Sequence, residues 1–477
     1  MTREKLFDAM TEIREETLKR AEGYGRPGTH KRKWWISAVA AVLVVAIGLG
    51  ILLQPNGPIP GGSAAAIAEP DYPTMTEYPG GNETIPFWES KYNAWRADIK
   101  AQQGPKGYAD GLEDYFTQSI ATFLSDADGE NLVYSPVNVY MALAMLAETC
   151  AGESRGQILD LLGHESIESL REQAGYLWNA NYRDDGATTS ILASSLWLDS
   201  GVEYVPSTIK RLAKNYYASV FQGDLGSEGC VAALKDWINE QTGGLLKEQV
   251  ESLELDPEAV LALASTVYFK AKWNNRFNAD RNTVETFHSP DGDIECEFMN
   301  SSNSQYYFWG DIFSAVSVPM ENAGSMYLIL PDEGYTVKDL LKNEQAMGFV
   351  SSNKNWENKK HLTVNLSLPK FDISSNFDLK QGLKKLGVTD VFNRLSADFS
   401  QTVVTDQPVW VNQVEHAARV TVDEDGVEAA AYTVIVTYGA AMPPDDEVDF
   451  VLDRPFLFVL TGIDGLPLFT GVVNQPV

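Results

Sequence analysis

The chain reads as an α+β fold, and three observations carry that reading. Segments of helical period crowd the start of the globular region, from Leu112 onward. Strand-like runs and hairpin turns dominate the rest, ending on Asp464-Gly465 between two apolar runs. No regular strand–helix–strand alternation recurs, which favours this class over a doubly wound sheet.

Taken in order, the N-terminal residues 1–33 hold a short amphipathic helix over 3–21 (Leu6, Phe7, Met10, Ile13), ended near Gly23 and Gly25. His30-Lys31-Arg32-Lys33 then leads into Trp34-Trp35 and an uncharged run to Leu53. At about 1.5 Å per residue, roughly twenty residues cross a hydrocarbon core of about 30 Å. Arg26, Lys31, Arg32 and Lys33 precede the run, and the next basic residue is Lys91. The positive-inside rule therefore makes 34–53 a single-pass transmembrane helix in the cell membrane, with the N-terminus cytosolic and the remainder extracellular. A cleaved signal peptide would need its site at Ala66-Ile67-Ala68, far beyond the apolar run, which favours an uncleaved anchor.

From Pro55 to Pro86, proline and glycine predominate, as expected of an extended, semi-stiff tether. Phe87 to Lys106, with Trp88, Tyr92 and Trp95, packs on the domain or forms a short helix; the residues leave both open. Residues 54–107 together make an extracellular linker, and 108–477 the globular domain. In that domain Leu112, Tyr115, Phe116, Ile120, Phe123 and Leu124 share a helix face. Ser135-Pro136 begins the helix Val137 to Thr149, which stops by Gly152. Ser190 to Leu198 and Ala259 to Phe269 are near-continuous apolar runs of strand length, hence buried strands. Phe313 to Met320 and Met326 to Leu330 make a hairpin around Glu321-Asn322-Ala323-Gly324. Leu362, Val364, Leu366 and Leu368 alternate, so one face of that strand is buried. Helices are expected near 205–217, 230–242 and 376–387, and a closing hairpin over Pro455 to Gly462 and Leu466 to Val473.

Composition bounds the function. A chain of 477 residues with 44% hydrophobic content holds one large domain plus appendages. A net charge of -29 and a pI near 4.5 argue against nucleic acid or an anionic lipid surface as partner. Cys150, Cys230 and Cys296 are too few and too far apart for a disulfide framework or a zinc site, and read as buried thiols. Gly152-Glu153-Ser154-Arg155-Gly156 spells a nucleophile-elbow pattern, but an elbow needs a strand before it, and here a helix precedes. Nothing places a third orienting group beside Ser135 and His416, so His416 reads as a hydrogen-bonded structural histidine. No metal, phosphate-loop or cofactor motif occurs, and the chain is not expected to be an enzyme. Asn82-Glu83-Thr84 is a glycosylation sequon.

The most unusual stretch runs from Val420 to Met442. A strand-like start turns acidic at Asp423-Glu424-Asp425, reaches Gly426, and passes through Ala429-Ala430-Ala431 into the β-prone run Tyr432 to Tyr438. Pro443 and Pro444 close it. Uncharged, β-branched and proline-free windows are aggregation hazards when exposed, so this one is either a buried strand or a strand formed on demand.

Four stretches, taken together, resemble the serpin family. Asn131 to Val137 with Ala142-Leu143-Ala144-Met145-Leu146 is similar to its first strand-to-helix signature. Val267 to Trp273 with Phe277 resembles its central strand motif. Val422 to Ala431 resembles the hinge of its reactive-centre loop. Asp453-Arg454-Pro455-Phe456 with Leu468-Phe469-Thr470-Gly471 resembles its C-terminal signature. The four fall in family order from Tyr108 to the C-terminus, leaving the anchor and tether outside. With that anchor, the chain resembles a membrane-anchored, bacterial member.

The resemblance implies three β-sheets, an exposed loop and a suicide-substrate mechanism. A serine protease cuts the loop, forms an acyl-enzyme, and is carried some 50 Å as about fifteen loop residues, at roughly 3.3 Å each, enter the central sheet. The hinge is then Glu424, Asp425, Gly426, Val427, Glu428, Ala429, Ala430 and Ala431. The sheet-opening region is Ser135, Asn138, Ser265 and His416, with Asn138 and Ser265 replacing a usual Ser and Asn. Counting from Gly426 sets the scissile bond at Ala440-Ala441, within a residue or two. Because no Lys or Arg occurs from Val420 through Asp453, an elastase-like or subtilisin-like protease is the expected partner. A slip to Tyr438 or Met442 would suit a chymotrypsin-like one. The expected form is a monomer displayed on the outer cell surface. A serpin-fold binding or structural protein that does not inhibit is the alternative.

Overall fold

In the computed structural model the residues described are 64–79, 85–125, 127, 129–251, 253–255, 259–352, 355–412, 414–427 and 446–476. The expected helix over 3–21, the run Trp34 to Leu53 and the loop 428–445 lie outside them. Among the described residues no helix is long and apolar enough to cross a membrane.

The chain enters on β1 (Ala65–Ala68) and, after an extended stretch, forms α1 (Ile85–Gln102). Every residue of the predicted face of α2 (Leu112–Leu124) is buried. β2 (Leu132–Tyr134) leads through Ser135 into α3 (Pro136–Thr149), where proline in the first turn removes only a donor that had no helical partner. All of α3 except Ala142 is buried, as expected of a helix enclosed on all sides. Then come α4 (Gly152–Leu161), α5 (Ile167–Asn181), β3 (Arg183–Asp184), β4 (Thr189–Asp199), α6 (Pro206–Asn215) and β5 (Ala218–Gly223). α7 (Glu228–Gln241) is capped by Ser227, whose hydroxyl accepts from the Cys230 amide at 3.2 Å. The short α8 (Lys247–Val250) precedes β6 (Leu261–Lys272). The remainder is mostly strand: β7 (Thr283–Ser289), β8 (Gly292–Trp309), β9 (Phe313–Pro319), β10 (Ser325–Pro331), β11 (Lys359–Pro369), β12 (Phe371–Asp378), then α9 (Lys380–Lys385), β13 (Glu415–Val422), β14 (Gly426–Val427), β15 (Glu447–Val451), β16 (Phe456–Thr461) and β17 (Pro467–Val473).

Three sheets result. The 8-stranded one runs β1-β5-β4-β6-β14-β13-β12, with β3 on β4; the 9-stranded one runs β15-β11-β8-β9-β10-β16-β17-β2, with β7 on β8; a 2-stranded one completes the set. The larger hydrophobic cluster joins the two big sheets around α3, and a second, with Trp197, Trp237 and Leu246, lies under α7 on the opposite face of the 8-stranded sheet.

The predicted hairpins form. β9 and β10 pair from Phe313↔Pro331 to Pro319↔Ser325. Their turn needs Gly324, since a Cβ there would lie 2.0 Å from the Thr461 carbonyl oxygen. β16 and β17 pair around Gly465, whose φ is 79°. Leu362, Val364, Leu366 and Leu368 are all buried.

Two expectations need correction. The helix near 376–387 shrinks to Lys380–Lys385, because Phe371–Asp378 pairs with β13 along its whole length. Residues 64–79 do not hang as a tether. Ala65, Ala66 and Ala68 pair with β5, which places the candidate cleavage site inside a ladder. The Tyr72 ring lies 5.1 Å from that of Trp178 and 5.6 Å from that of Tyr182. α1, one of the two readings left open, packs on the domain through buried Trp95, whose Nε1 donates to buried Asp185 at 2.8 Å. Aromatic side chains spaced along a proline-rich stretch supplied the contacts that its composition concealed.

Candidate functional site: the hinge and the slot beneath it

The turn after β13 is built by one aspartate. Asp423 Oδ1 accepts from the amides of Asp425 at 2.9 Å and Gly426 at 3.1 Å, an Asx turn that reverses the chain. The far end of β6 receives it. Trp273 donates its amide to the Asp425 carbonyl at 3.1 Å and its indole N–H to the Asp423 carbonyl at 2.8 Å. Lys370 lies 3.1 Å from Glu424, and Arg276 2.9 Å from Asp425. Burial works against the Glu424 carboxylate, but hydrogen bonds from its backbone, Lys370 and Asn282 outweigh that and hold its pKa below the usual range.

Gly426 and Val427 then enter the sheet. Val427 pairs with Ala271 on β6 and with Val422 on β13, and is 3% exposed. Only glycine fits at 426, where a Cβ would sit 2.2 Å from the Ala271 carbonyl oxygen. β14 is antiparallel to both neighbours, so β6 and β13 run parallel to each other. Among the described residues no ladder joins β6 to β13 below Val427. There the two strands flank a cavity of about 160 Å³, backed by α3 and covered by α7 and α8. The result is a seam whose upper end Val427 occupies and below which no described strand lies between β6 and β13.

The four predicted sheet-opening residues meet as two pairs beside this seam. The Ser135 amide donates to His416 Nε2 at 3.1 Å, while the Ser135 hydroxyl donates to the Leu468 carbonyl at 2.5 Å. Burial pushes the His416 pKa down to about 4, so the ring is neutral and accepts. Asn138 Nδ2 donates to the Ser265 carbonyl at 3.2 Å, and its Oδ1 accepts from the Ser265 hydroxyl. The exchange of Ser and Asn between these positions keeps an amide facing a hydroxyl. Ser194, not singled out from the sequence, joins them at 3.1 Å from Ser265; its only signal was a polar residue in an apolar run. Neither serine candidate has a base: Ser135 bonds a carbonyl, and buried Ser154, inside α4, accepts from the Asp398 amide at 3.1 Å. All three cysteines are buried, and burial raises the Cys150 pKa to about 12. No acidic, histidine or cysteine cluster among the described residues could hold a metal ion. Glu428, Ala429, Ala430, Ala431, Ala440 and Ala441 lie outside the described residues.

The family profile described as Serpin (serine protease inhibitor) matches residues 112–476. The chain is a serpin. Among its relatives, Serpin-ZX of Arabidopsis thaliana is 30% identical over 370 residues, covering 73% of this chain and 93% of that one. The solved thermophilic serpin tengpin in its native state superposes with a TM-score of 0.69 at 24% identity, over 87% of this chain and 100% of that chain, a likeness of fold. AtSerpin1 of Arabidopsis, in a native stressed conformation, gives a TM-score of 0.66 at 27% identity, over 80% of this chain and 98% of that one. These relatives give no support to the bacterial source expected above. β1 and α1 precede the family match, so this serpin carries a docked extension ahead of its family region.

Proposed function

We propose that this serpin is a suicide-substrate inhibitor of elastase-like or subtilisin-like serine proteases, held at the outer cell surface by Trp34 to Leu53. The observation that carries the reading is the seam: two parallel strands with no described ladder between them, below a hinge that already pairs with both. An antiparallel strand entering between parallel neighbours gains a ladder on each side, and both its faces meet covered layers. Cleavage at Ala440-Ala441 frees the loop to continue that entry, dragging the acyl-linked protease with it before water can release it.

The test is incubation of the full chain with a panel of serine proteases, read by SDS gel and by melting temperature. An SDS-resistant complex with an elastase-like enzyme, and a large rise in Tm after loop cleavage, are expected. Cut chain beside fully active protease, with an unchanged Tm, would refute inhibition and favour a non-inhibitory binding protein. Ala440→Arg should redirect trapping toward trypsin-like enzymes; an unchanged target choice would place the bond elsewhere.

A further inference from the structure

One face of the 9-stranded sheet carries a polar pocket that loop insertion does not use. Leu366 and Phe450 belong to the larger core cluster, so Asn365, Ser367, Asp449 and Val451, of the other parity, turn to the opposite face. Asn300 pairs with Ser367 and Ser302 with Asn365, which brings β8 onto the same face. With Arg281 and Glu285 these residues line a pocket of about 400 Å³ that spans β7, β8, β11 and β15.

Ser367 forms its floor. It is 7% exposed, and its hydroxyl has no hydrogen-bond partner among the described residues. A buried polar atom left unpaired is costly, so one that lines a pocket marks where a ligand group is wanted. The exposed Arg281 guanidinium makes no ion pair or hydrogen bond with the described residues. The remaining polar groups are held ready. Asn365 Nδ2 donates to Asp449 at 2.9 Å. Asn300 Nδ2 donates to the Thr283 hydroxyl at 2.8 Å, and that hydroxyl donates to Glu285 at 2.5 Å. The pocket therefore combines fixed carboxylate acceptors, an uncommitted guanidinium donor and serine hydroxyls able to do both.

Charge decides what such a pocket takes. Glu285 and Asp449 against Arg281, on a chain of net charge -29, disfavour an anion. A cation would meet Arg281, and no acidic, histidine or cysteine cluster among the described residues could hold a metal ion. A neutral ligand with several hydroxyls meets neither penalty, because adjacent hydroxyls donate to a carboxylate and accept from a guanidinium or a serine. The volume falls in the usual range for small-ligand sites, about 300–1,000 Å³. No aromatic ring lines the pocket, so hydrogen bonds alone grip the ligand. We propose that this pocket binds a neutral carbohydrate of one or two rings, with Ser367 beneath it, Asp449 accepting from two adjacent hydroxyls and Arg281 donating from the rim. Touching four strands at once, the ligand ties β15 to its neighbours.

The test titrates the full chain with glucose, galactose, N-acetylglucosamine and their disaccharides, each free and as the methyl glycoside, with inorganic phosphate and glycine for comparison. Ligand-observed NMR gives the affinity, and hydrogen exchange reports on residues 447–451. At least one sugar should bind with a Kd of about 1–10 mM, in keeping with a small ligand held without stacking, and should slow exchange in β15. Ser367→Ala, Arg281→Ala and Asp449→Asn should each weaken it about fivefold or more, as the loss of one hydrogen bond allows. Val284→Ser, at an exposed β7 position outside the pocket lining, should leave it unchanged. Equal binding of the glycosides assigns the site to sugars within a glycan, and binding of the free forms alone to free sugars; either supports the proposal. No sugar bound at 50 mM (about five times the weakest expected Kd), affinity untouched by all three pocket variants, or tighter binding of phosphate or glycine would overturn it. None of these outcomes depends on whether the chain traps a protease.

Discussion

Two segments from opposite ends of the chain add strands to the same sheet, and they differ in what the sheet must do to receive them. β1 joins the outer edge against β5, where backbone groups already faced outward and no strand had to move. β14 enters between β6 and β13, where two strands must be held apart for it. The edge addition is complete within four residues, is blunted by Glu69-Pro70, and is secured by the Tyr72 ring and the Trp95–Asp185 bond. The described part of the interior addition is Gly426–Val427, at the head of a cavity of about 160 Å³. An edge strand is a stable end point, whereas an interior strand is work left to be done. One sheet can therefore be finished at its margin and unfinished at its centre.

The comparison breaks most sharply at Val427. Val427→Glu would put a carboxylate among Ala271 and Val422, and an unpaired buried charge costs several kcal/mol. Trapping should fall about 100-fold or more while the loop is still cut, giving a substrate; Tm before and after cleavage checks this, and β1 should be unaffected. Next in size is pH. The unfolded His416 takes up a proton below about 6.5, whereas the folded one stays neutral down to about 4. The folded pKa is depressed, so its stabilisation is complete above 6.5 and lost as pH falls to 4, by about 3 kcal/mol. Denaturant melts at pH 7 and 4.5 should show that loss, and His416→Gln, which can still accept from the Ser135 amide, should remove it. The smallest effect lies at the margin. Asp185→Ala deprives Trp95 Nε1 and the Ala187 and Thr188 amides of their acceptor, at a cost of about 1–3 kcal/mol. Hydrogen exchange over residues 72–102 should rise while trapping stays the same. Reduced trapping would show that margin and seam are coupled.

Where local chemistry decides structure, the sequence was a good guide. Asp464-Gly465 needs a tight turn, and Leu362 to Leu368 need one buried face. Where partners decide it, the sequence was silent. Met299 to Ser304 has the composition of a loop yet forms the middle of β8, because β11 pairs with it across its full length. Tyr72 and Tyr78 sit in a proline-rich stretch whose destination only Trp178 and Asp185 reveal, the Tyr78 amide donating to the Asp185 carbonyl at 2.8 Å. The pairing of Asn138 with Ser265, which looked like a departure when each was read singly, is conservative once the two are seen face to face.

The direction of β1 sets the polarity of the whole device. Ala65 pairs with Gln222 near the end of the sheet where Leu198 meets Leu261, whereas Gly426 pairs with Lys272 at the other end. On the proposed mechanism a captured enzyme would start its journey at the pole farthest from the root of the domain and finish beside that root. Bait and burial ground would stand at opposite poles, with the incoming chain rooted at the second.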